Sequence, residues 1–136
     1  MDAKQVLRAD FDRARLVTNM LLEDMDDSDL LVRPTENSNH IAWQLGHLIG
    51  SENRMGESIK PGSMPALPEG FAQHYTAETA SSDNADDFLS KAEYLRLMDE
   101  QRGGILQLLE GLTDEDLERE GPESMRRIAP TVSDLL

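Results

Sequence analysis

Residues 39–60 read NHIAWQLGHLIGSENRMGESIK. Within them Ile41, Leu45, Leu48, Met55 and Ile59 recur at steps of three, four or seven, the spacing that lines one face of a helix. His40, Gln44, His47, Ser51, Arg54 and Ser58 make a polar stripe about 100° away, and Trp43 flanks that stripe on its other side. Asn37, Ser38 and Asn39 offer caps in front, and Lys60, Pro61 and Gly62 end the pattern, so the spacing predicts an amphipathic helix over 39–60. A polar stripe between two apolar edges faces either a hydrated pocket at one end of a helical bundle or plain solvent.

The same period appears on both sides. From about Ala3 to Met25, Leu7, Phe11, Ala14, Leu21 and Met25 form an apolar stripe opposite Arg8, Asp12, Arg15, Asn19 and Glu23, which predicts a helix over 3–25. A third helix is expected over 84–110, burying Phe88, Ala92, Leu95, Met98, Ile105 and Leu109, with Leu112 just past it. Gly103 and Gly104 interrupt it and imply a kink or a close helix contact. Between the second and third helices, residues 61–82 carry Gly62, Pro65, Pro68 and Gly70 and no usable period, and are long for a connection. They are either a lid or a crossover between distant helix ends. Thr113, with Asp116 three residues on, caps a short helix, and 128–136 reads as the start of another, with Pro130 suited to a first turn and Thr131 and Ser133 as caps.

A faint repeat ties the two ends together. Leu21, Leu22, Glu23, Asp27, Asp29 and Leu30 match Leu108, Leu109, Glu110, Asp114, Asp116 and Leu117 at one constant offset, and each block then passes a proline, Pro34 or Pro122, and approaches a helix. The expected fold is therefore all-α: a single domain over 1–136, an up-down antiparallel four-helix bundle whose fourth helix is largely missing, cut off at Leu136 as it begins.

Composition narrows the function classes. With 13 basic and 27 acidic residues the chain carries a formal net charge of −14, which repels nucleic-acid backbones and anionic membrane surfaces. No cysteine is present, so disulfides, thiolate metal sites and cysteine nucleophiles are excluded, and thiol chemistry requires a thiol from outside. Neither an apolar leader segment nor a membrane-spanning run is found, and a cytoplasmic location is the expectation. Glycine-rich phosphate loops and nucleophile elbows are also lacking.

Few residues carry chemistry. His40 and His47 share a face but are separated by about 10 Å of helical rise, too far to hold one ion at about 2 Å. Glu52 falls on the aliphatic stripe, roughly 140° from His47, where an unpaired carboxylate costs several kcal/mol, and pairing with Arg102 of the third helix is expected. Gly46 and Gly50, one turn apart, suit close helix packing. His74, in the long connection, either swings over a pocket or is solvated. Trp43, Gln44, His40, Glu52 and His74 are thus the candidate pocket residues.

The stretch from Asn39 to Leu48, followed by Glu52 and Arg54, resembles the second helix of the DinB-like superfamily, and the acidic turn from Leu112 to Leu117 is similar too. The resemblance implies a four-helix bundle, commonly a homodimer, that binds a divalent metal, zinc or nickel. The metal is held by one histidine on the second helix and a His-x-x-x-His pair on the fourth. His47 matches the first, and the pair has no counterpart among these residues. The implied function is a metal-dependent enzyme, a thiol-dependent transferase or a hydrolase, acting on a low-molecular-weight thiol or another small substrate. The rival is a non-catalytic bundle that binds a ligand or partner. A homodimer is also expected because a bundle lacking most of its last helix exposes a broad apolar groove.

Overall fold

The computed structural model describes residues 1–136, and its regular secondary structure is helical apart from one isolated antiparallel bridge, Glu120 to Thr131. Three long helices dominate: α1 (Ala3–Leu22), α2 (Ile41–Ile59) and α5 (Lys91–Gly111). Four short ones complete the set: α3 (Phe71–His74), α4 (Ala77–Ala80), α6 (Asp114–Glu118) and α7 (Val132–Leu135). No helix is long and apolar enough to cross a membrane.

Each boundary has a local cause. Asp2 and Gln5 form a reciprocal capping box at the start of α1. That helix ends at Leu22, short of the expected Met25, because Lys91 Nζ takes the Glu23 and Met25 carbonyls at 3.1 and 2.7 Å and the acidic turn beyond satisfies its own backbone. The second helix is capped not by Asn37, Ser38 or Asn39 but by His40, whose Nδ1 accepts the Trp43 N–H at 3.1 Å. The third long helix starts at Lys91 rather than Asn84, with Ser90 as its cap; Asn84 instead caps a separate 3-10 turn over Ala85–Asp87. Thr113 and Thr131 cap α6 and α7 through the same box, each reciprocated by an aspartate three residues on. The last helix is a single turn, and Pro130 stands just outside it.

Contacts along the long helices give their directions. Arg8 pairs with Glu110 and Arg15 with Asp99, so α1 and α5 are antiparallel. Asn53 bonds Gln101, Glu52 bonds Arg102, and Gly56 lies against Ile105, so α2 and α5 run the same way. Strict up-down alternation therefore fails between these two helices. The 31 residues between them explain it, since Lys60 to Ser90 must bring the chain back to the end at which α2 began. Residues 61–82 are a crossover, and they contribute two turns of helix and the buried Met64, Phe71 and Tyr75 to the core.

The core has two lobes, one at each end. In one, Leu22, Leu30, Ala42, Leu45, Ile49, Tyr94 and Leu97 enclose Phe71 and Tyr75. In the other, Ile59, Met64, Ile105, Leu108 and Leu109 meet Leu112, Leu117, Ala129, Val132 and Leu135. Both α1 and α2 rest on α5 and leave a groove between them.

Candidate functional site

Helix α2 sets the geometry. Its buried face is Ala42, Leu45, Gly46, Ile49, Gly50, Gly56 and Ile59, turned roughly 90° from the aliphatic stripe read in the sequence. Leu48, expected in the core, is consequently exposed and becomes a wall of the groove. The groove encloses about 270 Å³ and is lined mainly by Phe11, Leu48, Ile49, Met55, Met98 and Ile105, with Leu135 and Leu136 entering at one end. Glu52 and Arg102 meet on its wall at 2.7 Å, with only 12% and 16% of their side chains exposed. The sequence suggested the pair but not its third neighbour: Arg102 also donates to the Phe11 carbonyl at 2.7 Å and stacks 4.8 Å from the Phe11 ring, so all three long helices converge here.

The three histidines have different fates. His40 is fully buried, 0% exposed, with its Nδ1 serving as the helix cap and its Nε2 donating to the Ser82 carbonyl at 3.0 Å. Those two bonds fix one neutral tautomer and leave no ring nitrogen free. His74 Nε2 donates to the Asp87 carbonyl, and both rings lie edge-on to Phe88. Each histidine thus fastens the crossover's far end. Arg33 does the same work, donating to Asp83 and to the Ser38, Ala80 and Ser82 carbonyls.

His47 alone is exposed and makes no hydrogen bond. Its ring stacks on Trp43, with centroids 4.9 Å apart and planes 8° from parallel, and the indole N–H is held by the Thr76 carbonyl at 3.0 Å. It stands one turn before Ser51, a groove residue. Gln44 is also exposed and donates to the Asn39 carbonyl at 2.8 Å. The candidate residues therefore do not share one pocket: Trp43 and His47 form a stack on the outer strip of α2, Glu52 belongs to the groove, His74 lines a separate cleft with Glu69 and Asp87, and His40 is interior.

A model of the DinB superfamily matches residues 10–136. This chain belongs to the DinB superfamily. No curated protein and no solved structure matches it. For a member of this superfamily, the donor set of α2 is sparse: no three His, Asp or Glu side chains gather closely enough to hold a metal ion. Residues 1–136 supply one free imidazole, His47, and do not by themselves fit a resident divalent ion.

Sequence reasoning missed the second polar cluster. Gln101 is fully buried, and Asn53 donates to its Oε1 at 2.9 Å while both amides bond the Pro65 carbonyl. Tyr75 and Tyr94 share a buried bond of 2.8 Å. Burial, reinforced by that bond, pushes the Tyr75 phenol above the usual tyrosine range, and burial raises Tyr94 as well. All of these groups are satisfied, so they read as core.

Proposed function

We propose that this chain is a metal-dependent DinB superfamily enzyme, of the thiol-dependent transferase or hydrolase kind, in which His47 is the protein's imidazole donor and the groove between α1 and α2 is the fourth helical position of a bundle. The observation that carries this reading is the state of His47. Among three histidines it alone has both ring nitrogens free of hydrogen bonds, its ring is oriented by stacking on Trp43, and it borders the groove through Ser51. The role is the one that the likeness of the stretch from Asn39 to Leu48 to the family's second helix implies for His47. Zinc or nickel is the expected ion, with further donors coming from solvent, substrate or protein outside this site. A small external thiol is the substrate class, consistent with a chain that has no cysteine of its own.

Trp43 is the only tryptophan, which gives a direct test. Titrated nickel should quench its fluorescence saturably, weakly for a single imidazole, and His47→Ala should abolish the quenching while His74→Ala leaves it intact. Quenching indifferent to His47→Ala ends this reading. It would favour the second one, a non-catalytic bundle that binds a ligand in the apolar groove, for which the nine hydrophobic residues among its thirteen lining residues speak.

A further inference from the structure

The groove between α1 and α2 offers more than apolar surface. The turn of α7 closes one end with Leu135 and Leu136, and about 270 Å³ stays open along Phe11, Leu48, Met55 and Met98, near the lower end of small-molecule sites. Set into its wall is the Glu52 and Arg102 pair, whose bonds are incomplete. Arg102 commits Nε to Glu52 Oε1 and Nη1 to the Phe11 carbonyl. Its Nη2 and the second carboxylate oxygen, Oε2, bond nothing in the protein. No side-chain polar atom of the protein is both buried and without a partner, so these two are open to the groove that both residues line. An apolar trough thus presents one donor and one acceptor, side by side, on side chains that are otherwise mostly buried.

We propose that the groove binds an uncharged molecule with an apolar body and an amide head, the amide N–H donating to Glu52 Oε2 and its carbonyl accepting from Arg102 Nη2. Charge selects the head. A carboxylate satisfies Arg102 but sets its charge against Glu52, in a chain of net charge −14, while an ammonium satisfies Glu52 and meets the charge of Arg102. An amide gives one group to each and adds no charge to a wall that is already balanced. The lining selects the body, because Met55 and Met98 are unbranched and adaptable and so suit a hydrocarbon chain better than one rigid shape. The inference deepens the functional reading by naming what lies beside His47, one helical turn from the groove residue Ser51, and rests on that reading only in calling the ligand a substrate.

One chain with three heads tests it: hexanamide, hexanoate and hexylamine, followed through the methionine methyl resonances of the full chain. Hexanamide should shift Met55 and Met98 saturably and leave Met20, which lies outside the groove, in place. The other two should bind on the order of tenfold more weakly, since each leaves one groove atom unpaired and opposes one charge. Ala14→Trp, at an exposed position of the groove, should abolish the shifts without loss of helicity. Glu52→Gln removes the opposing charge and should strengthen hexanoate binding on the order of tenfold. Equal binding of the three heads, a preference for hexylamine such as net charge alone would give, shifts that persist in Ala14→Trp, or unchanged hexanoate binding in Glu52→Gln each overturns the proposal. No metal enters these readouts and His47→Ala should leave them unchanged, so their failure and the failure of nickel quenching at Trp43 are separate results.

Discussion

His40 shows how a residue's role turns on its neighbours. Spacing put it on a polar stripe, and the stripe is real, but the chain returns over the start of α2 and the Ser82 carbonyl closes on its ring. No local pattern announces a contact 42 residues away, so its burial was not legible. Glycines carry a similarly silent signal. At Gly46 a β-carbon would collide with the Tyr75 ring, and at Gly104 with Pro65, whereas at Gly103 nothing lies within 4 Å. The two adjacent glycines of α5 are thus opposites: one permits the crossover to approach the helix, and the other only weakens it. Gly46→Ala should destabilise the protein by about 1–3 kcal/mol through overpacking, while Gly103→Ala should stabilise it by about 1 kcal/mol. Urea unfolding midpoints measure both, and equal effects of the same sign would refute the contrast.

At the scale of elements, the existence of three long helices was readable from the 3.6-residue period, and so was the Glu52 to Arg102 pair, because a carboxylate on an apolar stripe demands a partner. Which arc of each helix is buried was less readable. The face of α2 turned toward Gly46, Gly50 and Gly56, residues with no hydrophobic signal, because they admit Tyr75 and Met64. In α5 the buried Tyr94 and Gln101 displaced Ala92 and Leu95 for the same reason: satisfied polar groups pack inside as well as aliphatic ones. The ion pair gives the test at this scale. With both partners mostly buried, Glu52→Leu or Arg102→Met alone strands a group in the groove wall and should cost about 3 kcal/mol. The double variant, apolar at both positions (Glu52→Leu with Arg102→Met), should recover most of the loss. Additive losses in that cycle would show that the pair is not coupled.

For the whole molecule, charge and topology decide what the elements leave open. The family and the all-α class were legible in the stretch around His47; the shared direction of α2 and α5 was not, because a connection's length does not say to which end it returns. The net charge of −14 bears on stability, and here two effects of acid oppose each other. Adding protons relieves self-repulsion, which favours the compact state. Against this, four carboxylates are held below their ordinary values by bonds found only in the folded chain. Asp116 accepts the Thr113 backbone N–H and then its hydroxyl, Asp134 the Thr131 hydroxyl and N–H, Asp26 the Ser28 hydroxyl and Asp29 N–H, and Glu57 the Gly62 and Met64 N–H groups. Since the folded values lie below the unfolded 3.8 for aspartate and 4.5 for Glu57, the unfolded chain binds more protons in that range. Their stabilisation is complete above about pH 5 and is lost as pH falls below the unfolded values through the folded ones. At about 0.5 M salt, where repulsion between exposed charges is screened, the urea midpoint should therefore fall between pH 5 and 3. Asp116→Asn and Asp134→Asn, which keep a capping oxygen but cannot titrate, should flatten that fall. A midpoint that rises on acidification even in high salt would show that these capped turns contribute nothing to the pH dependence.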